Sequence, residues 1–216
     1  MRFVLIAAKQ LAIAKTRLAP ALPSAVERAT LADAMFRDVL AAALSATAPD
    51  KVAVVTCDRA LLELSRASGA LTIDEEFPRG LNVAVELATN RLIACGATTV
   101  CTVLSDIPMI TGADIDRAFS AIPDHPRAAV LVPSRDFSGT NVMVRRPPDV
   151  IQTQFGHLNL VRHLEACRAA DAPCRIERLV RPALDLDVPE DLLEFTRTPT
   201  ITHTYRQLAR VGLLHG

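Results

Sequence analysis

The sequence has few aromatic side chains and no excess of charge of either sign. Among its 216 residues there is no Trp and only one Tyr, and 24 Lys and Arg residues balance 24 Asp and Glu residues. Proteins that bind single-stranded nucleic acid usually stack bases on aromatic rings and present a basic surface. The composition therefore predicts no nucleic-acid partner, and any anion site must come from a local cluster of cations.

Long apolar runs and paired or metal-spaced cysteines are also missing. The apolar run 3–8 ends at Lys9, which makes it too short for a signal peptide, and no run approaches the roughly 18 residues of a membrane span. These features predict a cytoplasmic protein with no membrane partner. The cysteines have apolar neighbours, which is typical of reduced thiols in a protein core. They are Cys57, Cys95, Cys101, Cys167 and Cys174.

Glycine is absent from the first part of the chain, where the first one is Gly69. The loop after the run 3–8 therefore has neither a P-loop nor a Rossmann glycine fingerprint, both of which need glycines for backbone amides to approach phosphate. The loop contains three cations instead, Lys9, Lys15 and Arg17. Such side chains either bind a polyphosphate directly or extend into solvent, and the sequence alone leaves both roles open.

Short, β-branched apolar runs alternate with amphipathic segments. The runs 3–8, 51–56, 98–104 and 127–133 predict strands that are covered on both faces, and the segments 24–46, 58–68, 81–95 and 111–121 predict helices. Ser24 with Glu27, and Thr111 with Asp114, have the spacing of a capping box. This alternation predicts one α/β domain over residues 1–216, a Rossmann-like three-layer sandwich with a mostly parallel sheet.

The second half of the chain is less regular. Gly139 marks a loop that leads into a short strand, and Asn159 is the predicted N-cap of a helix. A further short strand is predicted before a helix that begins near Pro189. A last amphipathic helix is predicted from Thr202 onward. The apolar residues of the terminal segment 211–216 pack either on the core or on a second copy of the chain in a homodimer.

Carboxylates stand where the predicted fold places ligands. Open α/β sheets bind ligands beyond the carboxyl ends of their strands, here in the loops after residues 8, 56, 73, 104 and 133. Asp106 follows a central strand, and Asp185 and Asp187 are two apart on a predicted extended segment, so that both face one side. A turn or cap role fits each residue. Together they predict a magnesium site of three carboxylates, because Mg²⁺ would offset their mutual repulsion.

Two polar segments suit the oxygens of a phosphate or a carboxylate. The predicted flexible loop SGTNVM contains Thr140 and Asn141, and FGHLN contains Gly156 and Asn159 ahead of a helix. Ordinary turn and cap roles fit these residues equally well.

The turn before the predicted helix 81–95 and the two histidines 157 and 163 are further candidates. Asn82, in a turn with Arg79 and Gly80, is either a helix cap or a group that reads the edge of a base. His157 and His163 are six residues apart and point to different faces of a helix, which predicts that they do not form a metal pair.

The stretches AKTRLAP, LNVAVELA, LSDIPMI, GTN, FG followed by Asn159 and His163, and LDLDVPEDL occur in this order. Together they resemble the 2-phospho-L-lactate guanylyltransferase family, some members of which act on phosphoenolpyruvate or 3-phospho-D-glycerate. Molybdenum-cofactor and sugar nucleotidyltransferases are wider relatives and usually have a glycine-rich first loop. The resemblance implies the nucleotide-diphospho-sugar transferase fold and a GTP-dependent guanylyltransferase of coenzyme F-420 biosynthesis, whose partners are GTP and a small phospho-acid.

The resemblance also implies roles for single residues. The catalytic groups that meet the GTP phosphates and the reaction centre are Lys9, Lys15, Arg17 and Asp106. The residues near the nucleotide are Arg79, Gly80, Asn82 and Ser105. The Mg²⁺ ligands are Asp106, Asp185 and Asp187. The residues that line the phospho-acid pocket are Thr140, Asn141, Gly156 and Asn159.

One residue departs from the family pattern. Relatives commonly have serine where this chain has Asn159, so the acceptor can differ from phospholactate, and 3-phospho-D-glycerate with its additional hydroxyl is an alternative. Two other functions stay open from sequence alone. One is nucleotidyl transfer to another cofactor precursor, such as molybdopterin, or to a sugar phosphate. The other is a non-catalytic nucleotide-binding domain.

Overall fold

The structure is a computed structural model that describes residues 1–214. Its seven strands are β1 Arg2–Ala7, β2 Lys51–Thr56, β3 Leu71–Asp74, β4 Thr99–Leu104, β5 Ala128–Pro133, β6 Thr140–Arg146 and β7 Cys174–Ile176. They form one sheet in the order β3-β2-β1-β4-β6-β5-β7. Only β6 is antiparallel to its neighbours within the described residues. The predicted mostly parallel sheet is confirmed, and the short strand β7 is an addition to it.

Helices cover both faces of this sheet. They are α1 Ala25–Ser45, α2 Arg59–Ala67, α3 Leu81–Ala94, α4 Gly112–Ser120, α5 Asn159–Ala169, α6 Pro189–Thr196 and α7 His203–Arg210. Alternate residues of a strand point to opposite faces. Accordingly Val4 and Ile6 pack with α1, α2 and α4, whereas Phe3 and Leu5 pack with α3 and α5. The predicted three-layer sandwich is therefore confirmed.

The predicted helix starts are confirmed in some cases and wrong in others. The capping box of Thr111 and Asp114 forms in full at α4. At α1, Ser24 Oγ accepts from the Glu27 N–H at 3.3 Å, but the described residues show no bond from Ser24 N–H to the Glu27 side chain. The N-cap of α5 is Leu158, in a left-handed conformation with φ 53°, so the prediction that Asn159 caps this helix is wrong. Asn159 is the first helical residue.

The segment before α6 is irregular and not the predicted strand. The Leu186 N–H donates to the Asp106 carbonyl at 3.0 Å, outside any ladder of the sheet. This bond joins residues 184–187 to the loop after β4. The segment can therefore carry its two aspartates toward the carboxyl end of the sheet, although it contributes no strand.

All five cysteines are free thiols, but they are not all in the core. Cys101 and Cys167 are buried, whereas Cys95 is exposed, because it follows the last residue of α3 at the surface. No helix within residues 1–214 is both long and apolar enough to cross a membrane. Leu213 and Leu214 pack against an apolar cluster formed by α1, α6 and α7. The remaining residues of the predicted terminal segment, His215 and Gly216, lie outside the described residues.

Candidate active site

A cavity of about 720 Å³ lies at the carboxyl ends of β1 and β4, within the size range of small-molecule sites. The loops after β1, β4 and β5, the turn before α5 and the segment 183–188 line it. Most of the predicted site residues contribute to its wall, namely Lys9, Lys15, Arg17, Ser105, Asp106, Thr140, Asn141, Gly156, Asn159, Asp185 and Asp187. Arg79, Gly80 and Asn82 do not line it.

The glycine-free loop after β1 directs Lys15 into this cavity. Two short 3-10 helices, Leu11–Ile13 and Thr16–Leu18, flank Lys15, whose backbone is left-handed with φ 55° and ψ 34°. That conformation costs a non-glycine residue about 1–3 kcal/mol and is frequent at functional sites. The buried Leu18 anchors the second of these helices. This strained backbone conformation therefore directs the Lys15 side chain into the cavity, which a regular turn would not do.

Lys15 forms the central ion pair of the cavity. Its Nζ lies 2.8 Å from Asp106 Oδ2 and 2.6 Å from Asp187 Oδ1, and its side chain is 9% exposed. Burial alone lowers the pKa of Lys15, but the charges of Asp106 and Asp187 outweigh it, so the net pKa is raised. Burial raises the pKa of Asp187, but the charge and hydrogen bond of Lys15, together with the charges of Arg17 and Lys9, outweigh it, so the net pKa is lowered. Arg17 lies 3.6 Å from the second oxygen of Asp187.

Asp185 has no such cationic partner among residues 1–214. Burial, and then the negative charge of Asp106, raise the pKa of Asp185 to about 6. Asn141 Nδ2 donates to Asp185 Oδ1 at 3.2 Å and to the carbonyls of Pro182 and Ala183. Asn141 therefore holds the segment that carries Asp185, and its donors are not free for an acceptor molecule.

The predicted site of three carboxylates is not preformed. Across residues 1–214 no group of three His, Cys, Asp or Glu side chains is spaced to hold a metal ion. The physical reason is that the Lys15 ammonium lies between Asp106 and Asp187 as their counter-ion. Asp106 Oδ1 is buried and has no hydrogen-bond partner among these residues. This free oxygen, next to the undercompensated Asp185, fits a divalent cation that two carboxylates and substrate phosphates hold together.

The loop after β5 is ordered by its own side chains. Asp136 accepts hydrogen bonds from Ser134 Oγ and from the N–H and Oγ of Ser138, and these bonds lower the pKa of Asp136. The Gly139 N–H donates to Ser134 Oγ at 2.7 Å, and a Cβ at Gly139 would lie 3.1 Å from that oxygen. Of the segment 138–143 predicted as a flexible loop, Ser138 and Gly139 therefore lie in a closely hydrogen-bonded turn, and the residues from Thr140 onward belong to β6.

His163 joins this turn to the residues before α5. Its Nε2 accepts from the Gln154 N–H at 3.0 Å, so a neutral ring carries its proton on Nδ1 and donates to Thr140 Oγ1 at 3.1 Å. The ring also meets Phe155 edge-on at 5.3 Å. Burial, and then the charge of Arg145, lower the pKa of His163 to about 4. His163 is thus a buried, neutral side chain that joins two segments through hydrogen bonds. His157 is separate from it and lines the cavity.

Asn82 is not the helix cap that was one of its two predicted roles. Gly80 is the N-cap of α3, so Asn82 is not a cap. Its Oδ1 accepts from the Phe155 N–H at 2.7 Å and its Nδ2 donates to the Phe155 carbonyl at 2.9 Å. The amide thus pairs with both the N–H and the carbonyl of Phe155, a residue of the cavity wall. Arg79 stacks on the ring of Phe77, 4.2 Å from its centroid.

Two residues of the site were not predicted. Arg135 lines the cavity and pairs loosely with Asp191 at 3.9 Å and with Glu194 at 3.7 Å. Asp191 Oδ2 accepts from the N–H groups of Asp187 and Val188, which fixes the Asp187 backbone. The signal for Asp191 was its position in the first turn after Pro189, where an acidic residue can accept from free amides.

Two solved structures superpose on this chain over nearly its whole length. A protein of Desulfovibrio desulfuricans G20 named as a nucleotide-diphospho-sugar transferase superposes with a TM-score of 0.73, at 21% identity over 99% of this chain and 96% of that one. A cytidylyltransferase of Leptospira borgpetersenii superposes with a TM-score of 0.61, at 10% identity over 99% and 96% of the two chains. These similarities establish the predicted fold class.

Three relatives are more similar in sequence to this chain than those two solved structures are. Phosphoenolpyruvate guanylyltransferase of Sphaerobacter thermophilus is 36% identical over 86% of this chain and 88% of its own length. 3-Phospho-D-glycerate guanylyltransferase of Phenylobacterium zucineum is 37% identical over 86% and 85%. 2-Phospho-L-lactate guanylyltransferase of Methanothermobacter thermautotrophicus is 33% identical over 92% and 85%.

The family described as "Guanylyl transferase CofC like" matches residues 1–214. This range includes the cationic loop, the carboxylates and the two polar turns that together form the cavity. The chain therefore belongs to the CofC-like guanylyltransferase family and is a nucleotidyltransferase enzyme.

Proposed function

We propose that this enzyme transfers GMP from GTP to a three-carbon phospho-acid and releases pyrophosphate, as a step in coenzyme F-420 biosynthesis. Named relatives act on phosphoenolpyruvate, 3-phospho-D-glycerate or 2-phospho-L-lactate. The observation that carries the proposal is the convergence of Lys15 with Asp106 and Asp187 at the wall of one cavity. Cations and acids from distant parts of the chain meet there, as the joining of two polyanions requires.

The charges of the cavity suggest how the two substrates are arranged. Lys9, Lys15 and Arg17 line the side next to β1, where the triphosphate of GTP would lie. Thr140, Gly156 and Asn159 line the side next to the two turns, where the phospho-acid would lie. Asp106 stands between these sides at the end of the central strand β4. The α-phosphate and the acceptor phosphate would thus meet near Asp106.

Mg²⁺ is part of the proposal, with Asp106 and Asp185 as its protein ligands. The ion would neutralise phosphate charge during the transfer. Asn141 orients Asp185 for this role through its hydrogen bond at 3.2 Å. Lys15, which pairs with Asp106 in the free protein, would offer its positive charge to the phosphates of the nucleotide.

The transfer is a single displacement at phosphorus. An oxygen of the acceptor phosphate attacks the α-phosphorus of GTP and forms a new P–O bond. The bond between the α-phosphorus and the bridging oxygen of the β-phosphate breaks, and its electron pair leaves with pyrophosphate. The residues of the cavity need only align the reactants and stabilise the spreading negative charge. Lys15 and Arg17 would stabilise the departing pyrophosphate.

The test is a matched set of pyrophosphate-release assays on the purified enzyme with Mg²⁺. GTP, ATP, CTP and UTP are each combined with the three phospho-acids, with molybdopterin and with a sugar 1-phosphate. We expect pyrophosphate only with GTP and a phospho-acid, together with a product of the summed mass less pyrophosphate. Activity restricted to ATP or to the other acceptors would contradict the proposal. GTP binding without turnover on any acceptor would identify a non-catalytic domain.

A further inference from the structure

The segment 151–155, which leads into the turn before α5, has side chains as its hydrogen-bond partners. The segment is irregular, and within residues 1–214 no backbone–backbone hydrogen bond reaches it. Buried backbone groups outside helices and sheets need other partners. Here α3, α5 and β6 supply them. The segment ends at Phe155, and Phe155 and Gly156 line the cavity, so these side chains determine where that part of the cavity wall lies.

One face of α3 carries three polar side chains. Asn82, Glu86 and Thr89 are spaced by four and by three residues, so they lie one above the other along the helix. Glu86 Oε1 accepts from the N–H of Thr153 at 2.8 Å and from its Oγ1 at 2.9 Å. Asn82 pairs with the N–H and the carbonyl of Phe155. This face therefore fixes the chain at two points directly before the turn.

Arg145 contributes to the same arrangement from β6. Its side chain is fully buried, and its Nη1 donates to the Ile151 carbonyl at 2.9 Å. Its Nη2 donates to Thr89 Oγ1 at 2.9 Å. Nη1 also lies 3.6 Å from Glu86 Oε1, the oxygen that binds Thr153. The guanidinium is thus both a hydrogen-bond donor to the segment and the counter-ion of Glu86.

Stability alone gives no reason for this buried ion pair. A guanidinium and a carboxylate lose hydration when they are buried, and apolar side chains of similar volume often give an equally stable core. An apolar pair, however, cannot hydrogen-bond the backbone of Ile151 and Thr153. Position matters at this place, because Phe155 and Gly156 line the cavity and a misplacement of about 1 Å in an active site can cost about 100-fold in rate.

We propose that Glu86 is a positioning residue of the transfer reaction. Through Thr153 it determines where the turn before α5 lies in the cavity, and Arg145 holds its carboxylate in place. Glu86 does not line the cavity, so it acts through Thr153 and touches no substrate. The inference rests on the proposed function, since that turn lines the proposed phospho-acid side.

The first experiment compares Glu86→Gln with Glu86→Leu. Both variants lose the charge next to Arg145, so both should melt at a lower temperature than the wild type. Glutamine keeps an oxygen for Thr153, whereas leucine does not. Pyrophosphate release is measured with GTP, Mg²⁺ and whichever of the three phospho-acids the wild type uses best. We expect the acceptor KM to stay within about 3-fold of the wild-type value in Glu86→Gln and to rise about 10-fold in Glu86→Leu. KM for GTP should not change in either.

The second experiment approaches the contact from Thr153 and leaves the charges intact. Thr153→Val removes only the Oγ1 donor, and the acceptor KM should rise about 3-fold. The double variant Glu86→Leu/Thr153→Val should have the acceptor KM of Glu86→Leu, because the contact is already lost. Asn90→Leu, at an exposed position of α3, is the control and should keep the wild-type constants. Amide hydrogen exchange in residues 151–158 should be faster in Glu86→Leu and unchanged in Asn90→Leu.

The outcomes separate the inference from the proposed function. An unchanged acceptor KM in Glu86→Leu would overturn the inference and leave the guanylyltransferase assignment intact. Equal increases of both KM values, or equal effects of Glu86→Gln and Glu86→Leu, would also overturn it, because they indicate a general loss of structure or charge. If Glu86→Leu does not fold, an unchanged acceptor KM in Thr153→Val overturns the inference. Absence of pyrophosphate from the wild type with every phospho-acid would overturn the proposed function, and the inference with it.

Discussion

The Lys15 ammonium lies between Asp106 and Asp187, 2.8 Å from Oδ2 of the first and 2.6 Å from Oδ1 of the second. One cation from the loop after β1 thus compensates two acids that are 91 and 172 residues away along the chain. These same acids were predicted as metal ligands. Lys15 and the proposed divalent cation would therefore share Asp106 as a partner, and competition between them can be measured.

Replacement of Lys15 by methionine should increase the response of the free protein to Mg²⁺. The variant keeps the length of the side chain and removes its charge, which leaves Asp106 and Asp187 as uncompensated neighbours. Without Mg²⁺ the variant should melt at a lower temperature than the wild type. Addition of Mg²⁺ should raise its Tm by more than that of the wild type, because the ion stabilises the form that binds it.

Arg17→Met is the matched control for that experiment. Arg17 lies 3.6 Å from Asp187 and its side chain is 70% exposed, so solvent already screens its charge. Its removal should change the Mg²⁺ response only slightly. Equal Mg²⁺ responses in the wild type and in Lys15→Met would show that the lysine and the metal do not share a site.

Asp106→Asn should reduce kcat/KM by at least about 100-fold, and Asp106→Ala should cost at least about 3 kcal/mol of transition-state stabilisation. The reason is that Asp106 offers the free buried oxygen for a metal at the centre of the cavity. Steady-state pyrophosphate release checks this value. Asp33→Asn, on the outer side of α1 in an exposed pair with Arg37, should retain wild-type activity. Near-normal turnover of Asp106→Ala would remove this residue from the mechanism.

Asn82→Ala should raise the KM of the phospho-acid more than the KM of GTP. The amide of Asn82 holds Phe155 through two hydrogen bonds, and Phe155 precedes Gly156 in the turn that lines the proposed acceptor side. Separate titrations of the two substrates provide the comparison. Preference for GTP over ATP should persist in the variant. Collapse of that preference would instead assign Asn82 to reading the guanine base.

Acidification should destabilise the protein through His163. The pKa of this ring is lowered to about 4 in the folded protein, whereas an unfolded histidine titrates near 6.5. The unfolded state therefore takes up a proton that the folded state does not, and stability falls as the pH drops from about 6.5 to about 4. Below the folded pKa the loss levels off. Its full size is about 3 kcal/mol, from the difference between the two values.

The contribution of His163 is isolated by comparison with His163→Phe, whose side chain cannot titrate. Urea unfolding at several pH values should show a steeper loss for the wild type than for the variant between pH 6.5 and pH 4. His157→Asn, at an exposed position, should follow the wild type. Parallel curves for the wild type and His163→Phe would mean that the ring does not remain neutral in the folded state.

The outcome at Asn82 shows where inference from sequence stops. Its place at the start of a helix was predictable, since Gly80 and the following apolar period mark that start. Its partner, Phe155, lies 73 residues further along the chain, and no local pattern indicates it. Most of the predicted site residues that met in the cavity follow strands or adjoin helix ends, and Thr140 and Asn141 begin the antiparallel strand β6. Those are positions that the α/β topology brings to one edge of the sheet.

The amino-acid pattern by itself determined the layers, the parallel sheet, most helix boundaries and the edge at which ligands bind. These features could be predicted because hydrophobic periodicity and helix capping depend on residues that are only a few positions apart. Only the tertiary structure decided which charges touch. The left-handed backbone of Lys15 and the bond from Leu186 to Asp106 brought the ammonium between two carboxylates. Pairing across such distances depends on how the whole sheet folds, and that is why the sequence indicated three acids at one edge of the sheet but not the lysine that two of them share.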